Sequence, residues 1–136
     1  MMIAVPTNGQ TWLICGGREF TDQEMFDSAM SELIQLRGCP LKVVHGKARG
    51  ADTMAGAWAR RMALHEAAVP VDTAVDGAWP AAGCMRNQRM LDSHHPDLVV
   101  AFPGRNGTAD MLRRARRAGI DVAEIKLAIG RKDDQC

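Results

Sequence analysis

Length, composition and charge already exclude several classes of protein. The chain has 136 residues, of which 46% are hydrophobic and 24% are charged, values typical of one globular domain rather than of a disordered or fibrous chain. Its 17 Lys and Arg residues against 16 Asp and Glu residues give a formal net charge of +1. This balance argues against a strongly basic surface, and therefore against a nucleic-acid partner.

The sequence pattern also argues against membrane insertion, secretion and metal binding. No apolar run approaches the ~20 residues that a membrane-spanning helix needs, and residues 1–10 lack a basic region followed by an apolar stretch. The cysteines Cys15, Cys39, Cys84 and Cys136 are scattered without a C-x-x-C pair or a histidine at a zinc-like spacing. We therefore expect a soluble cytoplasmic protein with no metal, no cofactor and no disulfide framework.

Apolar runs and helical patterns alternate through the first half of the chain. Short β-type runs predict strands over residues 11–15, 41–45 and about 69–75. Apolar and alanine residues at helical spacing predict helices over about 21–37 and 51–67.

The first of these helices carries a start signal. Thr21 and Glu24 are spaced as a capping box in which Thr21 is the N-cap. Phe20 and Met25 are placed as the hydrophobic staple that often accompanies such a box. The sequence thus predicts a helix that begins directly after Thr21.

The second half of the chain continues the alternation. It predicts helices over about 82–95 and 108–118, strands over 97–102 and 120–125, and a frayed tail over 130–136. Each return between parallel strands needs a crossover, usually a helix. Five strands alternating with four helices therefore predict an α/β fold.

The predicted architecture is a single Rossmann-like, doubly wound domain. It has about five parallel strands with helices on both faces of the sheet. Its core spans about residues 11–125, and we expect the chain of residues 1–136 to form this one domain.

Three glycine-containing loops follow predicted strands, at the sheet edge where α/β proteins bind ligands. Their candidate ligand-binding residues are Gly16, Gly17 and Arg18, then His45, Gly46, Gly50 and Asp52, and finally Pro103, Gly104, Arg105, Asn106, Gly107 and Thr108. Glycine allows close approach of backbone N–H groups to an anion, and a helix that begins behind the loop adds further donors. One such loop is usually a simple turn, but three together predict a phosphate site. Neither a Walker A nor a G-x-G-x-x-G sequence is present in its usual form.

Several side chains near these loops allow two interpretations each. Arg18 is either a clamp for phosphate or a solvated surface residue. Asp52 either binds ribose hydroxyls or caps the helix that begins at residue 51, and the capping role is favoured. Arg86 faces either the ligand or solvent, and Trp79 either forms an apolar wall for a base or closes the core.

A cluster of basic residues marks the last predicted helix. Its members are Arg113, Arg114, Arg116 and Arg117. The favoured interpretation is a solvated outer face of the helix, and the alternative is a surface that binds nucleic acid or another subunit.

Four segments together resemble the SLOG superfamily, the Rossmann-like group that includes the DprA/Smf and Lonely Guy proteins, and within it the YspA, cpYpsA-related branch. These segments are Gly16–Asp22, His45–Asp52, Met85–Asn87 and Pro103–Thr108. The resemblance implies a sensor or regulatory domain, in bacteria or phages, that binds a nucleoside monophosphate, ADP-ribose or an NAD-like molecule. It adds Asn87 to the candidate binding residues and implies a homo-oligomer, either a dimer or larger.

The resemblance to Lonely Guy phosphoribohydrolases is incomplete at one position that matters for catalysis. Arg86 matches an arginine of these enzymes, and residues 103–108 match most of their P-G-G-x-G-T-x-x-E motif. Arg105 replaces the second glycine, and Met111 stands at the glutamate position. Because methionine cannot exchange a proton, an enzyme would need Asp52 or Asp110 as its carboxylate, together with Arg86.

Three functions follow in order of preference. The first is ligand binding at the carboxyl edge of the sheet, the second is cleavage of the N-glycosidic bond of a nucleoside monophosphate, and the third is a DprA-like nucleic-acid module. All three interpretations require the loops after the predicted strands to lie together at one edge of the sheet. The first in particular requires Arg18 and Asn106 to share one cavity.

Overall fold

Strands alternate with helices, with two consecutive helices before the fourth strand, in residues 7–126, the part of the chain that the computed structural model describes. The strands of this part are β1 (Thr11–Cys15), β2 (Lys42–His45), β3 (His65–Ala68), β4 (Leu98–Ala101) and β5 (Asp121–Glu124). The helices are α1 (Gln23–Arg37), α2 (Ala51–Arg61), α3 (Thr73–Asp76), α4 (Ala82–His94) and α5 (Asn106–Arg117). The predicted frayed tail over 130–136 lies outside the described residues.

The five strands form one parallel sheet in the order β3-β2-β1-β4-β5. Leu13 of β1 lies opposite Val44 of β2 on one side and Val99 of β4 on the other. The chain winds from β1 toward one edge and then returns past β1 to continue on the other side. This is the Rossmann-like strand order, and its switch point lies between β1 and β4. The predicted α/β fold with a parallel sheet is confirmed.

Alternating side chains give the sheet two apolar faces. Trp12 packs on one face with Phe26 of α1 and Trp58 of α2. Leu13, the next residue, packs on the opposite face with Met90 of α4. α5 contributes to that second face as well. The predicted helical cover on both faces is therefore confirmed.

The start of α1 differs by one residue from the prediction. Asp22 is the N-cap, and its carboxylate accepts the backbone N–H of Met25 at 3.0 Å. Thr21 is therefore not the cap, and Glu24 does not stand at the capping-box position. The cap therefore accepts the N–H of Met25 instead of that of Glu24, and the negative charge of a carboxylate also suits the positive end of the helix.

The region between α2 and α4 was predicted wrongly. α2 ends at Arg61, and Ala63 adopts a left-handed φ of 57° that turns the chain away from the helix. His65–Ala68 then pairs with β2, whereas the strand was predicted over 69–75. β3 is an edge strand with mostly exposed side chains, so it lacks the apolar run that marks a buried strand.

The later elements lie within two residues of their predicted bounds. This holds for α4, β4, α5 and β5. Among the helices of residues 7–126, none combines the length and the apolar character needed to cross a membrane.

Candidate functional site

Loops at the carboxyl ends of β1, β2 and β4 open into a common cleft of about 1200 Å³. Arg18 and Asn106 both line this cleft, as the ligand-binding interpretation requires. The other predicted binding residues in its walls are Gly16, Gly17, Gly46, Asp52, Arg86, Asn87, Pro103, Gly104, Arg105, Gly107 and Thr108. Within the described part of the chain, His45 and Gly50 are the predicted binding residues that do not line it.

Gly16 and Gly17 bring three elements together at the floor of the cleft. A Cβ atom at Gly16 would lie 2.6 Å from Cβ of Ala51 and 2.9 Å from Cβ of Phe102, so no side chain fits there. Gly17 donates its N–H to the carbonyl of Pro103 at 2.9 Å and accepts the N–H of Ala51 at 3.2 Å. The amide of Gly17 thus joins two loops and is not available to a ligand.

His45 and Gly50 have supporting positions around the same loop. His45 is buried, its Nε2 lies 2.6 Å from the carboxylate of Glu66, and its Nδ1 accepts the N–H of Lys47 at 3.0 Å. Gly50 has a φ of 79° and lies against the carbonyl of Arg18, where a Cβ would clash. Both residues shape the loop after β2 from behind the cleft.

Asp52 holds the loop after β2 by its carboxylate. Its Oδ2 accepts the N–H groups of Gly46 at 3.0 Å and Ala48 at 3.2 Å. The N-cap of α2 is Gly50, so the capping role favoured for Asp52 is wrong. Burial raises the pKa of Asp52 above its usual value, although these hydrogen bonds and the positive charge of Arg86 act against that rise. The cleft therefore contains a carboxyl group that takes up a proton more readily than a solvated one.

Arg86 links α4 to two neighbouring loops. Its Nη1 donates to the carbonyl of Gly46 at 2.8 Å and to that of Val69 at 3.1 Å, and its Nε donates to Oδ1 of Asn87 at 3.3 Å. Burial lowers the pKa of Arg86, and the nearby Asp52 opposes that effect. Since an arginine stays charged over the physiological range, its partly buried guanidinium places a positive charge in the cleft wall.

Asn87 and Asp110 fasten α4 to α5. Nδ2 of Asn87 donates to Oδ2 of Asp110 at 3.0 Å and to the carbonyl of Gly107 at 3.2 Å. Asp110 also accepts from Nε of Arg114 at 2.8 Å. Burial, the largest single effect, raises the pKa of Asp110, but the bonds from Arg114 and Asn87 outweigh it and leave the pKa lowered. Asp110 is thus an ionised, fully engaged structural carboxylate.

The loop between β4 and α5 contributes exposed polar groups to the cleft. Arg105 is the N-cap of α5, and within residues 7–126 no side chain caps this helix. Arg105, Asn106 and Gly107 are exposed, while the hydroxyl of Thr108 lies next to Gly104. A helix that begins at a cavity wall directs uncapped N–H donors and a partial positive charge toward it.

The balance of charges in the cleft favours an anion. Among the described residues, its lining arginines are Arg18, Arg49, Arg86, Arg105 and Arg113, and its lining acids are Glu19, Asp22, Asp52 and Asp110. Arg49 pairs with Glu19 at 2.8 Å, and Arg113 pairs with Asp110 at 3.2 Å. Arg18 and Arg105 are exposed and form no ion pair within residues 7–126. These two arginines remain available to a negatively charged ligand.

Met111 and the basic residues of α5 have structural positions. Met111 is buried in the apolar layer that separates the sheet from α4 and α5. An apolar, buried side chain thus occupies the position where a catalytic carboxylate would be needed. Arg114 binds Asp110, and Arg116 pairs with Glu124 at 3.1 Å. With Arg113 also paired, three of the four basic residues of α5 are engaged within the molecule.

The structure adds cleft residues that the predicted binding set left out. Trp79, Pro80, Gly83 and Cys84 line the cleft from the side of α4. Trp79 is exposed, so it does not close the core. The signal in the sequence was the Trp-Pro pair before α4, which allowed two interpretations. Among residues 7–126, no group of three or more His, Cys, Asp or Glu side chains is arranged to hold a metal ion.

Comparisons with known proteins agree with this architecture. The YspA, cpYpsA-related SLOG family matches residues 13–74, which include most of β1, all of the elements from α1 to β3, and the loops after β1 and β2. Gene 61 protein of Mycobacterium phage D29 is 37% identical over 115 residues, which cover 81% of this chain and 91% of that protein. The chain therefore belongs to the YspA, cpYpsA-related SLOG family.

Proposed function

We propose that the cleft binds a nucleotide or nucleotide-derived ligand, such as a nucleoside monophosphate, ADP-ribose or an NAD-like molecule. The observation that carries the proposal is the convergence of Arg18, Arg86, Arg105 and the start of α5 on one cavity. This cavity lies at the switch point of the sheet, where proteins of this fold class bind ligands. Unpaired guanidinium groups beside uncapped helix N–H donors suit a phosphate.

Each part of the cleft suits one part of such a ligand. Arg18, Arg105 and the first turn of α5 would bind phosphate, with the hydroxyl of Thr108 as a further donor. Oδ2 of Asp52 is engaged with the loop after β2, which leaves its other oxygen for a ribose hydroxyl. Because Met111 stands where related hydrolases carry glutamate, a sensor or regulatory role is favoured over catalysis.

Calorimetric titration with AMP, ADP-ribose and NAD tests this function. We expect heat of binding for at least one of them, and Arg18→Ala should weaken that binding by about 10-fold or more, as for a lost charge-assisted hydrogen bond. Arg117→Ala is the matched control, since Arg117 is an exposed arginine that lies outside the cleft lining. Heat from none of the three ligands contradicts the proposal.

The position of Asp52, a buried carboxyl group in the cleft wall whose pKa is raised by burial, favours a second candidate function, cleavage of the N-glycosidic bond of a nucleoside monophosphate. In its protonated form this carboxyl group can donate a proton to the departing base as the bond from C1 of the ribose to the base breaks, and the resulting carboxylate can take a proton back from the water whose oxygen bonds to C1. Incubation with AMP would then release adenine and ribose 5-phosphate, and Asp52→Asn should abolish the release. Absence of free adenine at high protein concentration eliminates this candidate and leaves the binding function intact.

Partners and location follow from the proposed ligand. Nucleic acid is disfavoured, because three basic residues of α5 are paired within the molecule and the net charge is only +1. Nucleoside phosphates and NAD-like molecules are intracellular metabolites, so we place the protein in the cytoplasm. Homo-oligomerisation remains a prediction from the resemblance to Lonely Guy proteins, and analytical ultracentrifugation measures it directly.

A further inference from the structure

Trp79 gives the cleft an aromatic wall in addition to its cationic one. We propose that the base of the ligand stacks on the Trp79 indole, so that the site selects phosphorylated ligands carrying an aromatic base. This inference rests on the proposed function and adds the feature that distinguishes a nucleotide from a sugar phosphate.

The exposure of Trp79 differs from that of the other tryptophans. Trp12 is 0% exposed and Trp58 is 5% exposed, whereas Trp79 is 56% exposed. An exposed indole leaves a large apolar surface in water, which is unfavourable unless a ligand or partner covers it. Since Trp79 lines the cleft, a ligand in the cleft can cover it.

The start of α4 lies beside the indole of Trp79. A Cβ atom built at Gly83 would lie 3.6 Å from Cζ3 of Trp79, so the ring lies beside Gly83, which leaves room for it because glycine has no side chain. Pro80, the next residue, also lines the cleft and restricts the backbone beside the ring. This restriction reduces the conformational entropy that the residue loses when a second aromatic system stacks on its ring.

The cleft thus combines two chemically different surfaces. Arg18 and Arg105 suit phosphate, while the ring of Trp79 suits the π-face of a base and offers nothing comparable to phosphate alone. Aromatic stacking accepts purines and the nicotinamide ring alike, because each has a flat π-face. The class of ligand is therefore a base-containing phosphate ester.

A second copy of this chain is the alternative cover for Trp79. Val75 and Met85 are also exposed and lie within ten residues of Trp79 along the chain. Neither of them lines the cleft, whereas Trp79 does. The position of Trp79 in the cleft wall favours a ligand over a subunit contact.

Titrations of wild type and variants with AMP and ribose 5-phosphate test the inference. Because Trp12 and Trp58 are buried, AMP should change mainly the emission of Trp79, and Trp79→Ala should remove that change. Trp79→Ala should weaken AMP binding about 10-fold and leave ribose 5-phosphate binding as in wild type. Trp79→Phe should restore most of the AMP affinity, and Met85→Ala, the exposed apolar control on α4, should have no effect.

The outcomes separate this inference from the function on which it depends. Equal AMP affinity in wild type and Trp79→Ala, or equal weakening for AMP and ribose 5-phosphate, overturns base stacking while AMP binding by wild type upholds the proposed function. A lower oligomeric state of Trp79→Ala with unchanged AMP affinity assigns Trp79 to a subunit interface and also overturns it. Wild type that binds none of AMP, ADP-ribose and NAD overturns both proposals.

Discussion

Nη1 of Arg86 lies 2.8 Å from the carbonyl oxygen of Gly46, forty residues earlier in the chain. The same atom donates to the carbonyl of Val69 at 3.1 Å, so one guanidinium joins α4 to the loops after β2 and β3. The resemblance to Lonely Guy phosphoribohydrolases makes Arg86 a candidate ligand-binding residue. Here this arginine first builds the cleft wall, and any contact with a ligand comes in addition to that role.

Arg86→Ala should lower the free energy of unfolding by about 1–3 kcal/mol. The substitution leaves the carbonyl groups of Gly46 and Val69 without their donor, and an unsatisfied, partly buried acceptor costs that order of free energy. Urea denaturation followed by circular dichroism measures the change.

Arg105→Ala is the matched control for this measurement. Arg105 also lines the cleft, but it is exposed and forms no ion pair within residues 7–126. We expect its removal to change the free energy of unfolding by less than about 0.5 kcal/mol. Equal stabilities of the Arg86 and Arg105 variants would show that the bonds of Arg86 do not support the fold.

Gly16→Ala should destabilise the protein by about 1–3 kcal/mol, the usual cost of an extra methyl group in a tightly packed position. The new Cβ would lie 2.6 Å from Cβ of Ala51, and this contact can be relieved only by moving α2 away from β1. Thermal and urea denaturation both measure this decrease in stability.

Gly107→Ala controls for the loss of a cleft glycine. No heavy atom of the described residues lies within 4 Å of a Cβ built at Gly107, which occupies the first turn of α5. Alanine is the better helix former, so the variant should be as stable as wild type or slightly more stable. A Gly16→Ala protein as stable as the Gly107→Ala protein would contradict the close approach at Gly16.

The elements that the sequence predicts best are those whose burial decides their composition. β1 and β4 are central strands covered on both faces, so they appear as apolar runs and their positions were predicted correctly. β3 is an exposed edge strand rich in alanine, and that composition favours a helix when it is considered locally. Its pairing with β2 is a tertiary effect that local propensity does not contain.

The candidate site shows a similar division between local and tertiary information. Glycines after strands indicated where the loops of the cleft lie, because a close backbone approach leaves glycine in the sequence. The use of the Gly17 amide by Pro103 and the joint use of the Arg86 guanidinium by Gly46 and Val69 could not be predicted. Both depend on which loops meet across the sheet edge, and that meeting is set by strand order.

Acid should reduce stability through Asp76. Arg89 binds both carboxylate oxygens of Asp76, at 2.8 Å and 2.7 Å, and these bonds are the main reason that its pKa is lowered to about 2. A lowered folded-state pKa stabilises the protein above the unfolded value of about 4, and the stabilisation is lost as the pH falls toward 2.

Comparison with Asp76→Asn isolates this contribution. The difference in free energy of unfolding between wild type and variant should be constant around neutral pH. It should shrink as the pH falls from the unfolded-state pKa of about 4 toward the folded-state pKa of about 2. Midpoints of urea denaturation, measured across the acid range at constant ionic strength, report this difference. Asp92→Asn, which removes an exposed carboxylate from α4, controls for the change of one charge. Parallel pH profiles for wild type and Asp76→Asn would refute the role of the ion pair.

Asn87 and Asp110 should be energetically coupled, because the amide of Asn87 on α4 donates a hydrogen bond to the carboxylate of Asp110 on α5. Nδ2 of Asn87 and Oδ2 of Asp110 are 3.0 Å apart and both residues are buried. In a double-mutant cycle, Asn87→Ala and Asp110→Ala should each be destabilising, and the double variant should lose about 1 kcal/mol less than the sum of the two losses. Urea denaturation of the four proteins gives the coupling. Strict additivity would mean that the two helices are held together by their apolar contacts and that this bond adds nothing.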